Sequence, residues 1–152
     1  MRGQKGTAPR RSAGARNATI VALGAVAPTA REALSMNVLL IINDPPYGTE
    51  RCYNALRLAG ALLKRSPENT VTVFLMADAV IAARRGQKVP EGYYSLERML
   101  GRVLAGKGSV LLCGTCMDAR GMTTEEMVAG AARSTMDELA AATEAADKVL
   151  VF

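Results

Sequence analysis

The chain has 152 residues, which is enough for one domain with a substantial core. It contains no histidine and no tryptophan, and its two phenylalanines and four tyrosines leave the core to aliphatic side chains. The absence of histidine excludes His-based acid/base catalysis and the Ser-His or Cys-His activation of a nucleophile, and it removes a common ligand of zinc and iron sites.

The net charge of +5 belongs to an N-terminal leader, residues 1–35. Residues 1–34 carry six basic side chains against one acidic side chain, whereas residues 36–152 carry thirteen of each. The neutral part shows no basic stripe along the sequence, and few aromatic side chains are available to stack on bases. The sequence therefore predicts no direct nucleic-acid partner.

We predict that the leader is a disordered extension, or that translation begins at Met36, immediately before the first strong strand signal. Two alternatives stay open. Residues 18–30 are weakly apolar and end in a small-residue segment, residues 27–30, which is typical of signal-peptide cleavage and would mean export. The Arg-rich, acid-poor start is also typical of an organelle transit peptide. No stretch reaches the roughly 20 apolar residues of a membrane span, so no membrane partner is predicted.

The first predicted strand covers residues 38–42, a continuous aliphatic run that is typical of a parallel sheet. The two prolines within residues 43–48 predict a loop. Thr49 is expected to cap the next helix, with Glu50 in its first turn, and residues 66–67 end that helix.

The same alternation continues to the C-terminus. Strands are predicted over residues 71–76, 109–112, 131–133 and 149–152, and helices over residues 79–85, 96–104 and 135–146. Thr123 with Glu126 and Thr135 with Glu138 match capping boxes, each expected to open a helix. This order predicts a three-layer α/β sandwich around a mostly parallel sheet, with no second domain.

Cys113 and Cys116 form a C-x-x-C pair in the turn after the third long strand. Catalytic groups of open α/β sheets gather at such strand ends, and backbone N–H groups or a nearby cation favour the reactive thiolate. Arg120 is the candidate cation, and Asp118 opposes it. The alternative is that Cys113 is a small apolar strand residue. Cys52 has apolar neighbours at helical spacing and is predicted to be a core thiol.

Three thiols are too few for a disulfide framework, and free thiols indicate a reducing, cytoplasmic location. A zinc site needs about four ligands, and the chain has three cysteines and no histidine. It also has neither a phosphate-loop pattern nor G-x-G-x-x-G. We therefore predict neither a metal nor a cofactor.

The loop after the first strand should emerge at the same sheet edge as Cys113. Asp44, Tyr47 and Glu50 are therefore candidates to line a pocket beside the thiols. The alternative is that the Asp and the prolines make the turn, while Glu50 serves the helix dipole.

Five segments, taken in order along the chain, resemble the DsrE/DsrF-like family and particularly its YchN-type branch. They are residues 43–50 (NDPPYGTE), 74–80 (FLMADAV), 85–88 (RGQK), 112–121 (LCGTCMDARG) and 146–150 (ADKVL). The resemblance covers residues 36–152. It implies an α/β/α sandwich with a five-stranded sheet that assembles into homo-oligomers, either trimers or hexamers.

The resemblance also implies a chemistry. Better-understood relatives pass sulfur as a cysteine persulfide along a relay to tRNA thiolation or sulfur oxidation, which implies sulfur donor and acceptor proteins as partners. Their sulfur-carrying cysteine lies eight residues before the glycine of an Arg-Gly pair, and Cys113 stands in that relation to Gly121. Cys116 belongs to the branch's own C-x-x-C variant and departs from the single-cysteine pattern.

We therefore hypothesise a sulfur-handling protein in which Cys113 accepts a sulfane sulfur, Cys116 stabilises or resolves the persulfide, and Arg120 favours the thiolate. A thiol–disulfide redox or sensing module using the same pair is an alternative. A non-catalytic oligomeric binding protein is another.

Overall fold

The computed structural model describes residues 35–152, so the predictions for the leader lie outside the described residues. The strands in this part of the chain are β1 (Asn37–Ile42), β2 (Thr70–Leu75), β3 (Ser109–Cys113), β4 (Ala132–Ser134) and β5 (Lys148–Val151). The α-helices are α1 (Arg51–Arg65), α2 (Leu96–Ala105), α3 (Gly114–Asp118) and α4 (Met136–Ala145), and 3-10 helices occupy Ala77–Ala83 and Thr124–Glu126.

All neighbouring strands pair in parallel, in the order β4-β3-β2-β1-β5. The chain therefore steps from β1 to β4 in one direction and then crosses back to place β5 beside β1. Right-handed crossovers put the connections of the outward steps on one face and the returning connection on the other. Accordingly, α1 and α2 pack against each other, and α4 packs on β1 from the opposite face. The predicted three-layer α/β/α sandwich with a five-stranded sheet is confirmed.

The core is aliphatic, as the composition predicts. Leu40, Phe74 and Leu112 are fully buried in β1, β2 and β3, the three central strands. Burial of each side chain of this size contributes about 1.5–3 kcal/mol to the free energy of unfolding, so the central strands are the most stable part of the sheet. Their carboxyl ends, where the candidate site lies, are fixed by this packing.

Two segments depart from the predicted secondary structure. Ala77–Ala83 is a 3-10 helix instead of an α-helix over residues 79–85. Ala79, Val80, Ala82 and Ala83 are all buried there, so packing on several sides overrides the helical propensity of the segment. Residues 114–118, predicted as a turn, form the short helix α3.

The predicted caps are partly right. The Thr135–Glu138 capping box opens α4 as predicted. The Thr123–Glu126 box is also formed, but it opens a 3-10 helix. The Thr49 cap is wrong by one position: Glu50 is the N-cap of α1 and lies outside its first turn. Thr49 precedes the cap: its hydroxyl donates a 2.8 Å hydrogen bond to Asp44 Oδ2 and accepts one from the Arg51 N–H at 3.4 Å.

Within residues 35–152, each helix is too short or too polar to cross a lipid bilayer.

Two glycine substitutions test the packing at the start of β3. A Cβ added at Gly108 would lie 2.7 Å from Val103 Cγ1 and 3.1 Å from the Val103 carbonyl oxygen. Gly108→Ala is therefore expected to lower the free energy of unfolding by about 1–3 kcal/mol, measured by urea denaturation. The Cβ added by Gly101→Ala in α2 meets no atom of the described residues within 4 Å, so this change should raise the free energy of unfolding by about 0.5–1 kcal/mol. Equal effects of the two changes would contradict this packing.

Candidate functional site

The carboxyl ends of β2, β3 and β4 meet at one edge because the three strands are parallel neighbours. Cys113 is the last residue of β3 and the N-cap of α3, and Cys116 lies in the first turn of that helix. Cys113 is 5% exposed, Cys116 is partly buried, and both thiols are free. The structure thus places the C-x-x-C pair at a strand end, recessed from the surface.

The Cys113 sulfur is surrounded by hydrogen-bond donors. Its Sγ lies 3.3 Å from Thr115 Oγ1, and the Cys116 thiol and the backbone N–H groups of Thr115 and Cys116 also bond to it. Burial alone raises the pKa of Cys113, but these hydrogen bonds outweigh burial and bring the pKa below its ordinary value. Cys113 is therefore richer in thiolate near neutral pH than an ordinary cysteine.

Cys116 is shifted in the opposite direction. Burial and the hydrogen bond that its thiol donates to Cys113 raise its pKa, and they prevail over the Ala77 N–H and the Arg120 charge, which lower it. The Ala77 N–H donates to Cys116 Sγ at 3.2 Å. Of the two thiols, Cys113 is therefore the one whose ionisation is favoured, and Cys116 is the one that more readily keeps its proton.

Ala77 lies two residues after the end of β2. Its backbone is left-handed, with φ of 49°. This region is unfavourable for alanine and costs on the order of 1 kcal/mol, so the surrounding fold must impose it. The conformation aims the Ala77 N–H at the Cys116 sulfur. Strained backbone of this kind clusters at functional sites, which agrees with the position of the thiol pair.

Arg120 is tied to neighbouring groups at the end of α3. Its Nε and Nη2 donate to Asp78 Oδ1 at 3.1 and 2.6 Å, and its Nη1 donates to the Cys116 carbonyl oxygen at 2.8 Å. Its charge lowers the pKa of Cys116, against the larger effect of burial. Arg120 thus joins α3 to the segment after β2.

Asp118 binds a second arginine from the neighbouring strand. Its two carboxylate oxygens accept from Arg133 Nη1 and Nη2 at 2.9 and 2.6 Å, and these bonds lower the pKa of Asp118. The Arg133 guanidinium lies against Gly114, where an added Cβ would be 2.9 Å from Arg133 Cζ. A side chain at position 114 would therefore push Arg133 away from the thiol site.

A cavity of about 340 Å³ opens beside Cys113. Its lining combines the start of α3 with the end of β4 and the first turn of α4; the residues are Cys113, Gly114, Thr115, Arg133, Ser134, Thr135, Met136 and Glu138. Arg133 and Glu138 bring charges of both signs; Arg133 was not singled out from the sequence, and Glu138 was predicted only as part of a capping box. The rule that sites form at strand ends, applied to the predicted strand over residues 131–133, would have found them.

Asp44, Tyr47 and Glu50 lie elsewhere on the structure. Asp44 accepts from Thr49 and lies 3.6 Å from the Arg51 guanidinium. Tyr47 and Glu50 line a separate pocket of about 360 Å³ together with tyrosines 93 and 94. Among the described residues, the lining of the cavity beside Cys113 therefore includes none of these three.

Cys52 is a core thiol, as predicted. It is 1% exposed, and its Sγ donates to the Asp44 carbonyl oxygen at 2.9 Å. Burial, together with the nearby Asp44 charge, raises its pKa to about 11, so it stays protonated and fastens the loop after β1. Among residues 35–152, no three Cys, Asp or Glu side chains are grouped closely enough to hold a metal ion.

The thiol site and the sheet that carries it belong to a known protein family. The model of the DsrE/DsrF-like family matches residues 36–152. The chain is a member of the DsrE/DsrF-like family. Protein YchN of Escherichia coli is 44% identical over 115 residues, which cover 76% of this chain and 97% of YchN. The uncharacterized protein MJ0989 of Methanocaldococcus jannaschii is 36% identical over 117 residues, covering 77% of this chain and all of that protein.

Solved structures of this fold agree with the family assignment. The crystal structure of E. coli YchN superposes with a TM-score of 0.74 at 43% identity, covering 77% of this chain and 99% of YchN. MTH1491 of Methanobacterium thermoautotrophicum, a protein of unknown function, has a TM-score of 0.61 at 13% identity and covers 76% of this chain and 98% of its own. The second likeness shows the shared fold alone, while the first supports the YchN-type branch.

The contact between Thr115 and Cys113 gives a test of the thiolate. Thr115→Val keeps the shape of the side chain but removes its hydroxyl, so the pKa of Cys113 should rise. The pH profile of Cys113 alkylation by iodoacetamide, followed by peptide mass spectrometry, should then move to higher pH, with a several-fold slower rate at neutral pH. Ser109→Ala, at the exposed opposite end of β3, should leave the profile unchanged. An unshifted profile in Thr115→Val would contradict the role of the hydroxyl.

Proposed function

We propose that this DsrE/DsrF-like protein is a sulfur carrier in which Cys113 accepts a sulfane sulfur as a persulfide and passes it on. The observation that carries the proposal is the unequal thiol pair. Hydrogen bonds lower the pKa of Cys113, whereas burial and the bond to Cys113 raise that of Cys116. Cys113 also lines a cavity of about 340 Å³, which offers a donor access to a residue that is only 5% exposed.

The loading step needs no oxidant. The Cys113 thiolate attacks the outer sulfur of a donor persulfide, the donor S–S bond breaks, and the donor leaves as a thiolate. In the reverse sense, an acceptor thiolate attacks the outer sulfur of the Cys113 persulfide, and Cys113 leaves as a thiolate. A thiol with a lowered pKa is the better leaving group, so the donors around Cys113 favour delivery.

Cys116 has a defined part in this scheme. Its thiol donates a hydrogen bond to the Cys113 sulfur, and the backbone of Ala77 holds it in place. In the loaded protein the same donor can stabilise the inner sulfur of the persulfide. Arg120 acts through the position of α3, because its guanidinium is bound to Asp78 and to the Cys116 carbonyl.

Loading with inorganic polysulfide tests the proposal directly. After incubation and removal of excess reagent, intact-mass spectrometry of the wild type should show the addition of sulfur, and Cys113→Ser should show none. Cys52→Ser is the matched control. Because Cys52 is buried with a pKa of about 11 and should not load, this variant should take up as much sulfur as the wild type.

Loading of Cys113→Ser to the wild-type extent would refute a carrier role for Cys113. A wild-type protein that takes up no sulfur would also refute this role. Near-ultraviolet circular dichroism of each variant confirms that the fold is intact. The homo-oligomer implied by the family resemblance stays a prediction. Size-exclusion chromatography with light scattering would measure the mass of the assembly.

A thiol–disulfide module is the second candidate, favoured by the position of the two thiols three residues apart at the start of α3 and by the influence of each on the pKa of the other. In this scheme the Cys116 thiolate attacks the inner sulfur of a Cys113 persulfide, an intramolecular disulfide forms, and hydrogen sulfide leaves. The same disulfide can form by exchange with an oxidised small-molecule disulfide, which is reduced to two thiols.

The reduction potential of the pair separates the two candidates. If the pair is redox-active, equilibration with glutathione buffers should give a potential well above the roughly −300 mV that bounds structural disulfides. Cys116→Ser should abolish disulfide formation but keep the sulfur on Cys113. A pair that forms no disulfide in oxidised glutathione would rule out the redox module and leave the carrier.

A further inference from the structure

The charge of the folded domain is unevenly distributed over its surface. Residues 36–152 are neutral overall, but the layer formed by α1, α2 and the turn after α2 holds seven basic residues and one acidic residue. The basic residues are Arg51, Arg57, Lys64, Arg65, Arg98, Arg102 and Lys107. The acidic one, Glu97, accepts a hydrogen bond from the backbone N–H of Gln87 at 2.9 Å. The helical layer opposite α4 is therefore strongly positive, and the rest of the domain is negative by the same amount.

A groove of about 300 Å³ runs between α1 and α2 in this positive layer. Gly60, Ala61 and the partly buried Met99 form its apolar part above the buried Leu56, and Arg57, Lys64 and Arg102 flank it. A Cβ built at Gly60 meets no atom of residues 35–152 within 4 Å, so the groove is open at that point of the described domain. The three cations are all exposed. The groove is thus an apolar trough with two cations of α1 on one side and one cation of α2 on the other.

The groove cations differ from the arginines of the thiol site. Arg120 and Arg133 are each held by an aspartate at 2.6 Å. Within residues 35–152, Arg57, Lys64 and Arg102 have no carboxylate within ion-pair distance, and Arg57 lies 5.3 Å from the centre of the Tyr53 ring. These charges are therefore available to a partner without first breaking an internal ion pair.

We propose that this groove binds an acidic amphipathic helix of a partner protein. An apolar trough between two helices accepts side chains spaced at i, i+3, i+4 and i+7 along such a helix. The flanking cations then face carboxylates on either side of the apolar stripe, which speeds encounter and fixes the orientation.

A nucleic acid fits this groove less well. Phosphates would pair with the cations but leave the apolar side chain of Met99 against a charged backbone, and among the described residues no aromatic side chain lines the groove for base stacking. The groove has no lining residue in common with the cavity beside Cys113. The proposal therefore stands independently of the chemistry of the thiols.

Fluorescence anisotropy with the full-length protein tests the groove. The probe is a fluorescein-labelled synthetic helix with leucines at i, i+3, i+4 and i+7 and glutamates beside them. Gly60→Leu fills the trough without changing the charge, and Arg57→Glu/Arg102→Glu reverses the flanks. Each variant should bind at least about tenfold more weakly than the wild type. Wild-type binding should also weaken as salt is raised.

Matched controls separate the groove from general effects. Gly101→Leu places the same side chain at a second open glycine, which lies in α2 and does not line the groove. Lys88→Glu/Lys148→Glu makes the same change in net charge outside the positive layer. Both should bind the probe as the wild type does, and thermal unfolding of all variants shows that each is folded.

Four results would overturn the proposal. They are the absence of saturable binding, equal binding of a scrambled peptide of the same composition, equal losses in the controls, and displacement of the probe by a single-stranded oligonucleotide at comparable concentration. A change in the sedimentation coefficient of unlabelled Gly60→Leu would likewise overturn it, because the groove would then be occupied by a second copy of the chain.

Discussion

Because the strands of the sheet run in one direction, the chain leaves each of them at the same edge, and this constraint assembles the thiol site. Strand β3 lies between β2 and β4, so the helix that begins after Cys113 is bounded by segments distant in sequence. The segment after β2 supplies Ala77, whose N–H bonds to Cys116. The end of β4 and the start of α4 supply Arg133 and Glu138 to the adjacent cavity. The site therefore depends on the burial of the central strands, which fixes these segments relative to one another.

A protein without histidine has to stabilise a thiolate by other means. Here hydrogen bonds do so, and the bonds come from the turn at the start of α3 and from the second thiol. The same bonds suit both halves of the sulfur transfer that we propose. A lowered pKa makes Cys113 a good leaving group, whereas nucleophilicity declines only partly with pKa, so the thiolate keeps much of its reactivity. The left-handed backbone of Ala77 is the strained element of this arrangement, and the fold around it maintains the strain.

Sequence patterns predicted the sheet well because its signals are local. The aliphatic runs of β1, β2 and β3 and the Thr135–Glu138 box depend on residues close in sequence. The 3-10 helix after β2 was missed because burial on several sides decides it. The C-x-x-C pair could be placed at a strand end, but the opposite shifts of the two pKa values depend on the burial of both thiols and on the hydrogen bonds around them, which the fold decides. The Ala77 N–H, 39 residues away from Cys116, bonds to its sulfur and works against the upward shift. Arg133 was overlooked because it becomes a neighbour of Cys113 only through the pairing of β3 with β4.

Net charge illustrates the same difference between a chain and a fold. The thirteen acids and thirteen bases after Met36 cancel in the sequence, and the absence of a basic run argued against a polyanionic partner. Folding separates the signs, because both helices on one face are basic while α4 on the other begins with Asp137 and Glu138. A neutral domain can therefore present a positive face whose field extends over a Debye length of about 8 Å at physiological salt. Since that face also contains an apolar trough, it combines the long-range attraction and the short-range burial that recognition of an acidic helix requires.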